Sequence, residues 1–351
     1  MSERNFKNRR SLVLELVFLA ALIAATFAWL LRDCDTRAIF AAIREADLRL
    51  IGLGLLCMFL YLLCGGNSAG VLMRAMGARM GSLRCLRYHM IEFFFSAITP
   101  SSTGGQPVEI LAMRAEGYRA AEATAALLMV ATLYKVALLV LFALLYATNF
   151  AFLHAQVRAM WFLFALGLLL NLITITVLVM GLYAQRTMRR LCDGILRLLG
   201  HMRVVRHPDA ARKKLADWLE GFHGCARLMR EHPLPVFKSF ALVLLQRVLY
   251  LLIPWCVYVA LGLHGASVWQ LMGLQLLLST SVEMLPLPGA VGASESGFLV
   301  LYDAVFGAQA LYPAVMLSRG ISYYLPLLVS AGVVVFTRLS YLRAHRRIPS
   351  A

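Results

Sequence analysis

Acidic residues are scarce in this chain. Its 351 residues hold 18 Asp and Glu against 34 Lys and Arg, and charged residues of both signs make up only 15%. With 61% hydrophobic residues and a mean hydropathy of +0.74, it has too little polar surface for a soluble globule, which is normally nearer half apolar. The seven cysteines are odd in number and none stands in a CxxC pair, which excludes a disulfide framework and zinc spacing. They read as small apolar packing residues. There is no HExxH and no Walker loop. The eight histidines form no cluster with metal-ligand spacing, so no metal and no cofactor are expected. No stacking aromatics are interleaved with the basic residues, which excludes nucleic acid as a partner.

What the chain does have is long apolar runs of about 20 residues, enough to cross a hydrocarbon layer of roughly 30 Å. The fold class is therefore an all-α polytopic membrane protein. The net charge of +16 reads as loop charge on the cytoplasmic side. Basic residues at Arg4, Lys7, Arg9 and Arg10 place the N-terminus inside, followed by a retained first span over 11–31. The loop 32–49 is neutral, the second span covers 50–72, and Arg74, Arg79, Arg84 and Arg87 mark the cytoplasm again. Further spans are expected at 121–147, 159–183, 236–261 and 310–337, the last ending inside at Arg338 and Arg343. This makes about six crossings in a single domain, 1–351, with a basic cytoplasmic helical insertion at 185–233. One face of that insertion carries Leu215, Trp218, Leu219 and Phe222 among lysines and arginines, which suits the anionic inner leaflet.

Two stretches do not fit plain crossings. Only 26 residues separate Arg87 from Arg114, too few for two passages, so 88–113 is read as a re-entrant hairpin turning at 99–105. The segment 267–309 turns at Pro286, Pro288, Gly289 and Gly292 without a lysine or arginine, and is read as a second hairpin entered from the opposite face. Irregular backbone at membrane depth survives only against protein or a water-filled cavity. Paired interruptions in the two halves point to an inverted repeat around a midplane site.

The candidate site residues follow from these turns. Thr103, Gly104, Gly105 and Gln106 open the helix of the first hairpin; Pro288, Gly289, Gly292 and Ser294 open that of the second. Hydroxyls and glycines at helix N-termini suit an anion such as a lipid phosphate. Charges at membrane depth are costly and usually functional. Here they are Glu92, Glu109, Glu283, Glu295 and Asp303, with Lys135, Arg247 and Arg319 as partners. One reading is a polar cavity in which Arg247 or Arg319 holds a phosphate; the other is structural ion pairing between helices.

The segment Thr99-Pro-Ser-Ser-Thr-Gly-Gly-Gln-Pro-Val-Glu109, with Met113, Arg114 and Gly117, resembles the first signature of the lysylphosphatidylglycerol synthase transmembrane family. This is the flippase-like membrane domain of aminoacyl-phosphatidylglycerol resistance proteins. Pro286 to Glu295 with Phe298, then Arg319, Tyr323 and Tyr324, resembles its second signature. Gln106 stands where many members carry a glutamate followed by a basic residue. The resemblance implies a multi-pass protein of the bacterial cytoplasmic membrane, both termini inside, that moves a phospholipid between leaflets. The lipid would be anionic or aminoacylated phosphatidylglycerol. The chain ends at Ala351, so the soluble lysyltransferase domain of two-part members, and with it enzyme activity, is expected to be absent. The alternative is a non-catalytic membrane subunit that docks a separately encoded lipid-modifying enzyme through 186–232. A homodimer is a plausible assembly for such a bundle.

Overall fold

A computed structural model describes residues 36–183, 230–283 and 285–346, together with Ala21, Ala28 and Leu228. Nearly all of the expected first span at 11–31 and of the basic insertion at 185–233 lies outside the described residues. The described residues are helical throughout, with no strand among them. That follows from the solvent, because a helix satisfies its own backbone where lipid offers no partner.

Helix α1 (Thr36–Glu45) is short and amphipathic, and its end is followed by Asp47, whose Oδ1 accepts the N–H of Arg49 at 2.8 Å. That cap opens α2 (Leu48–Ala75), which at 1.5 Å per residue is about 42 Å long. A run of small residues in α2, including Gly65, Gly66, Ser68, Ala69 and Gly70, is buried. Small residues let helix backbones approach in a membrane bundle. Against this face pack α3 (Ser82–Ile98) and α8 (Pro233–Ala260), with Ser239 Oγ donating to the Ser68 carbonyl at 3.0 Å.

Helix α4 (Gly105–Ala115) folds back on α3 across a tight turn at Pro100–Ser102. Its 11 residues make about 16 Å, half of what a crossing needs. Then come α5 (Ala120–Thr148), α6 (Phe150–Ala159) and α7 (Trp161–Tyr183). Between the spans expected at 121–147 and 159–183 the chain thus forms a helix of its own, α6, and it bends by 106° between α6 and α7.

After α8, Ser267 and Gln270 cap α9 (Val268–Val282) reciprocally, through Oγ to N–H at 3.2 Å and Oε1 to N–H at 2.9 Å. A turn at Pro288–Ala290 leads to α10 (Ala293–Arg319), which is kinked at Gly307, where φ is 67°. The kink falls where the second hairpin was expected to pass into the last span. A π-helical turn, Gly320–Tyr324, joins α10 to α11 (Leu325–Arg346).

Four stretches among the described residues are long and apolar enough to cross a membrane, and five if the bent pair α6–α7 counts as one. Neither α4 nor α9, with 15 residues and about 22 Å, reaches that length. The tips of the two hairpins pack directly on one another: Ser101 Oγ lies 3.4 Å from the Leu285 carbonyl. Tyr323 OH also donates to the Ala97 carbonyl at 3.4 Å, tying α3 of the first hairpin to the π turn.

Candidate functional site

The polar residues gather where the two hairpin tips and α8 converge, in three connected groups. The first surrounds Arg247 on α8. Its guanidinium donates to Tyr61 OH at 2.6 Å and lies 4.9 Å from the Tyr61 ring, 4.6 Å from Tyr134 and 5.7 Å from Tyr250. Its Nε, buried, has no partner among the described residues. Cation–π contacts of a desolvated guanidinium are worth about 2 kcal/mol or more, so the tyrosines stand in for a carboxylate. Tyr134 OH passes the contact on, donating to Glu283 Oε2 at 2.7 Å. The other oxygen of Glu283 lies 3.9 Å from Lys135 Nζ, which donates to Asn171 Oδ1 at 2.6 Å.

The second group lies at the N-terminus of α10. Glu295, 2% exposed, accepts the Gly292 N–H on Oε2 at 2.7 Å. Its Oε1 takes Arg319 Nε at 2.7 Å and Tyr324 OH at 2.8 Å. Arg319 reaches on to the Gly289 carbonyl at 3.3 Å and lies 4.4 Å from the Tyr323 ring. Gly289, with φ at 57°, has no room for a side chain, since a Cβ would run into the Tyr323 phenol. The helix end expected to stand open to an anion is therefore occupied by the protein's own carboxylate. Ser294, expected as its cap, is instead a buried residue of the first turn of α10.

The third group lies within the first hairpin. Thr99 Oγ1, rather than a hydroxyl of Ser101, Ser102 or Thr103, accepts the Gly104 N–H, at 2.9 Å. Gly105 presses against α3 so closely that a Cβ would strike Ser96 Oγ and the backbone carbonyl of Glu92. Glu92 accepts from Ser96 Oγ at 2.8 Å and faces His89 Nδ1 at 3.3 Å, while His89 Nε2 is 3.4 Å from Gln246 Nε2. Glu109, one turn beyond Gly105, is 2% exposed. Thr103 and Gln106 are exposed, and Asp303, far along α10, is too.

Tyr250 connects the first two groups. It stacks over Arg247 and also lines, with Gln275, Ser279, Ser294, Ser318 and Arg319, an enclosed cavity of about 20 Å³. That is room for about one water molecule and far too little for a lipid head group. The described conformation is thus closed around its polar centre.

The structure brings Arg247 and Glu283 together, Gly289, Gly292, Glu295, Arg319 and Tyr323 together, and Gly104, Gly105 and Glu109 together; Pro288 starts the second turn and is buried. Sequence reasoning did not find the aromatic walls, Tyr61, Tyr134 and Tyr250. Single tyrosines in apolar helices carry no spacing signal, and only their placement around Arg247 reveals them. Gln246 and Asn171 escaped for the same reason.

Long apolar helices closed around a buried polar centre define an all-α polytopic membrane protein. The chain matches the family described as lysylphosphatidylglycerol synthase TM region over residues 13–330, and it belongs to that family. The family associates this membrane domain with lipid modification or translocation. No curated protein matches the chain significantly.

Proposed function

We propose that this chain moves a phospholipid between the leaflets of the bacterial inner membrane, as a transporter and without transferase activity. The observation that carries the reading is the meeting of the two interrupted hairpins around buried Glu295 and Arg319 and part-buried Arg247 and Glu283. Burying such charges in a membrane bundle is costly, and transport pathways are where it recurs. Arg247 is held by the Tyr61 hydroxyl and by tyrosine rings, and Arg319 by Glu295. A phosphate entering the centre would compete for them, and a cationic or hydroxylated head group would compete for Glu283. The hairpin tips touch without being fused by an ion pair, and that contact is the natural place for opening.

An apolar groove of about 350 Å³ supports the same reading. It runs between Met160, Trp161, Phe162 and Leu163 on one side and Ala293, Ser296, Gly297 and Val300 on the other. It lies alongside the first turns of α10 and offers an acyl chain an apolar surface. In the proposed orientation both termini face the cytoplasm and the basic segment 186–232 lies on anionic lipid. The lipid would be phosphatidylglycerol or an aminoacylated form of it, a role that would bear on resistance to cationic antibiotics.

The test is reconstitution of the purified chain in liposomes containing fluorescent phosphatidylglycerol, with the outer leaflet quenched chemically. Transport predicts that the protected fluorescence falls well below half as inner-leaflet lipid becomes accessible. Retention of half, as in protein-free liposomes, would reject the function.

A further inference from the structure

A serine or threonine hydroxyl inside a helix usually has a local partner, the carbonyl four residues earlier. Thr124, Thr132, Ser279, Thr280, Ser281 and Ser296 all donate to that carbonyl, at 2.7–2.9 Å. Ser318, in the last turn of α10, does not. It is 4% exposed, and its Oγ has no hydrogen-bond partner among the described residues. An unpaired hydroxyl at that depth is costly. The residue lines instead the enclosed cavity of about 20 Å³ beside Tyr250.

Other polar groups line the same cavity. Helix α10 is kinked at Gly307, and Glu295 in its first turn meets Arg319 in its last. Ser294 and Ser318 precede those two residues in sequence, and both line the cavity, as does buried Ser322 of the π turn. Gln275 of α9 adds an amide. Its Oε1 already accepts from Tyr302 OH at 3.1 Å, which leaves the amide N–H groups to donate. Cavities that stay dry are lined by apolar groups, whereas a water needs roughly 10–15 Å³ and two to four polar partners. Both conditions are met here. Charge argues against an ion. Arg319 opposes a cation, and its own charge is already matched by Glu295 at 2.7 Å, which leaves little to hold an anion. Hydroxyls that can both donate and accept suit a small neutral ligand.

We propose that this cavity is a hydration site, and that one water molecule bound in it is a structural part of the closed centre. The water pairs with Ser318 and bridges it to the other hydroxyls of the lining. A bridging water is enthalpically nearly as good as a direct hydrogen bond. By joining the first turn of α10, its last turn and the π turn, it fastens three pieces of backbone where the Glu295–Arg319 pair forms. The site belongs to the folded chain and stands whether or not the chain moves lipid.

The experiment is radiolytic footprinting of the full chain in lipid nanodiscs, in which X-rays split bound water and the hydroxyl radical oxidises the side chains beside it. Phe298, 1% exposed, lines the cavity; Phe94, 3% exposed, does not and is the internal control. The wild type is expected to be oxidised several-fold faster at Phe298 than at Phe94. Equal, low rates at the two overturn the proposal, and this readout needs no variant to fold. Ser318→Ala gives a second readout. Were the cavity dry, the change would remove an unpaired hydroxyl, and the variant would unfold at higher SDS than wild type. With the water bound, alanine removes one of its partners, so the variant should unfold at lower SDS and its Phe298 oxidation should fall toward that of Phe94. Unfolding of Ser318→Ala at higher SDS overturns the proposal. Replacing chloride with gluconate should leave the wild-type unfolding midpoint where it is; a lower midpoint in gluconate would assign the site to an anion and overturn the water.

Discussion

Breaking the Glu295–Arg319 pair should cost more than either residue's share of any transport chemistry. Glu295→Gln removes the charge that satisfies Arg319 Nε at 2.7 Å and weakens the acceptor for Gly292 N–H and Tyr324 OH. Arg319, 8% exposed, is then left as a buried cation with the Gly289 carbonyl and the Tyr323 and Tyr324 rings. Removing one partner of a buried pair typically destabilises by about 3–5 kcal/mol. Arg319→Met should cost a similar amount, because it strands the Glu295 carboxylate. The two losses describe the same interaction, so the double variant should fall short of their sum by roughly 2–3 kcal/mol, the upper part of the range for directly coupled residues. The assay is reversible unfolding of the purified chain in mixed micelles with increasing SDS, read by helix content, for all four members of the cycle. Additive single losses would refute the pair as a structural element and leave Arg319 free to act as a phosphate ligand.

Other consequences are smaller and separable. Gly289→Ala places a Cβ against the Tyr323 phenol at a positive φ and should lower stability by about 1–3 kcal/mol in the same unfolding assay. Tyr134→Phe removes a hydrogen bond to a carboxylate, about 1.5–3 kcal/mol by the usual range for charged acceptors, while keeping the ring over Arg247. Arg247→Lys keeps the charge but loses the planar stacking against three tyrosines, so it should unfold at lower SDS than wild type, by more than Lys135→Met relative to its own contacts.

Much of this architecture was legible in the sequence because membranes impose simple rules. Hydropathy and loop charge gave the long helices, and the shortness of 88–113 alone was enough to require a hairpin. The turns at Pro100 and Pro288 were legible because proline and glycine interrupt helices visibly. The closeness of those two turns was suggested by their matching positions in the two halves, and the contact between Ser101 and Leu285 shows it. Cap assignments were less accurate. Thr99 and Glu295 take the roles expected of Thr103 and Ser294, because a carboxylate two residues into a helix reaches its end as well as a hydroxyl does. The partners of the charged residues were illegible, since Tyr134 and Glu283 are 149 residues apart and meet only through tertiary packing.

The central claim is that the two hairpin tips meet and must separate for lipid to pass. A disulfide between cysteines placed at Ser101 and Leu285 tests it in one step. The account predicts that the bond forms readily in native membranes, halts lipid movement in liposomes, and releases it on reduction. Absence of the cross-link, or full lipid movement with the tips locked together, would contradict it.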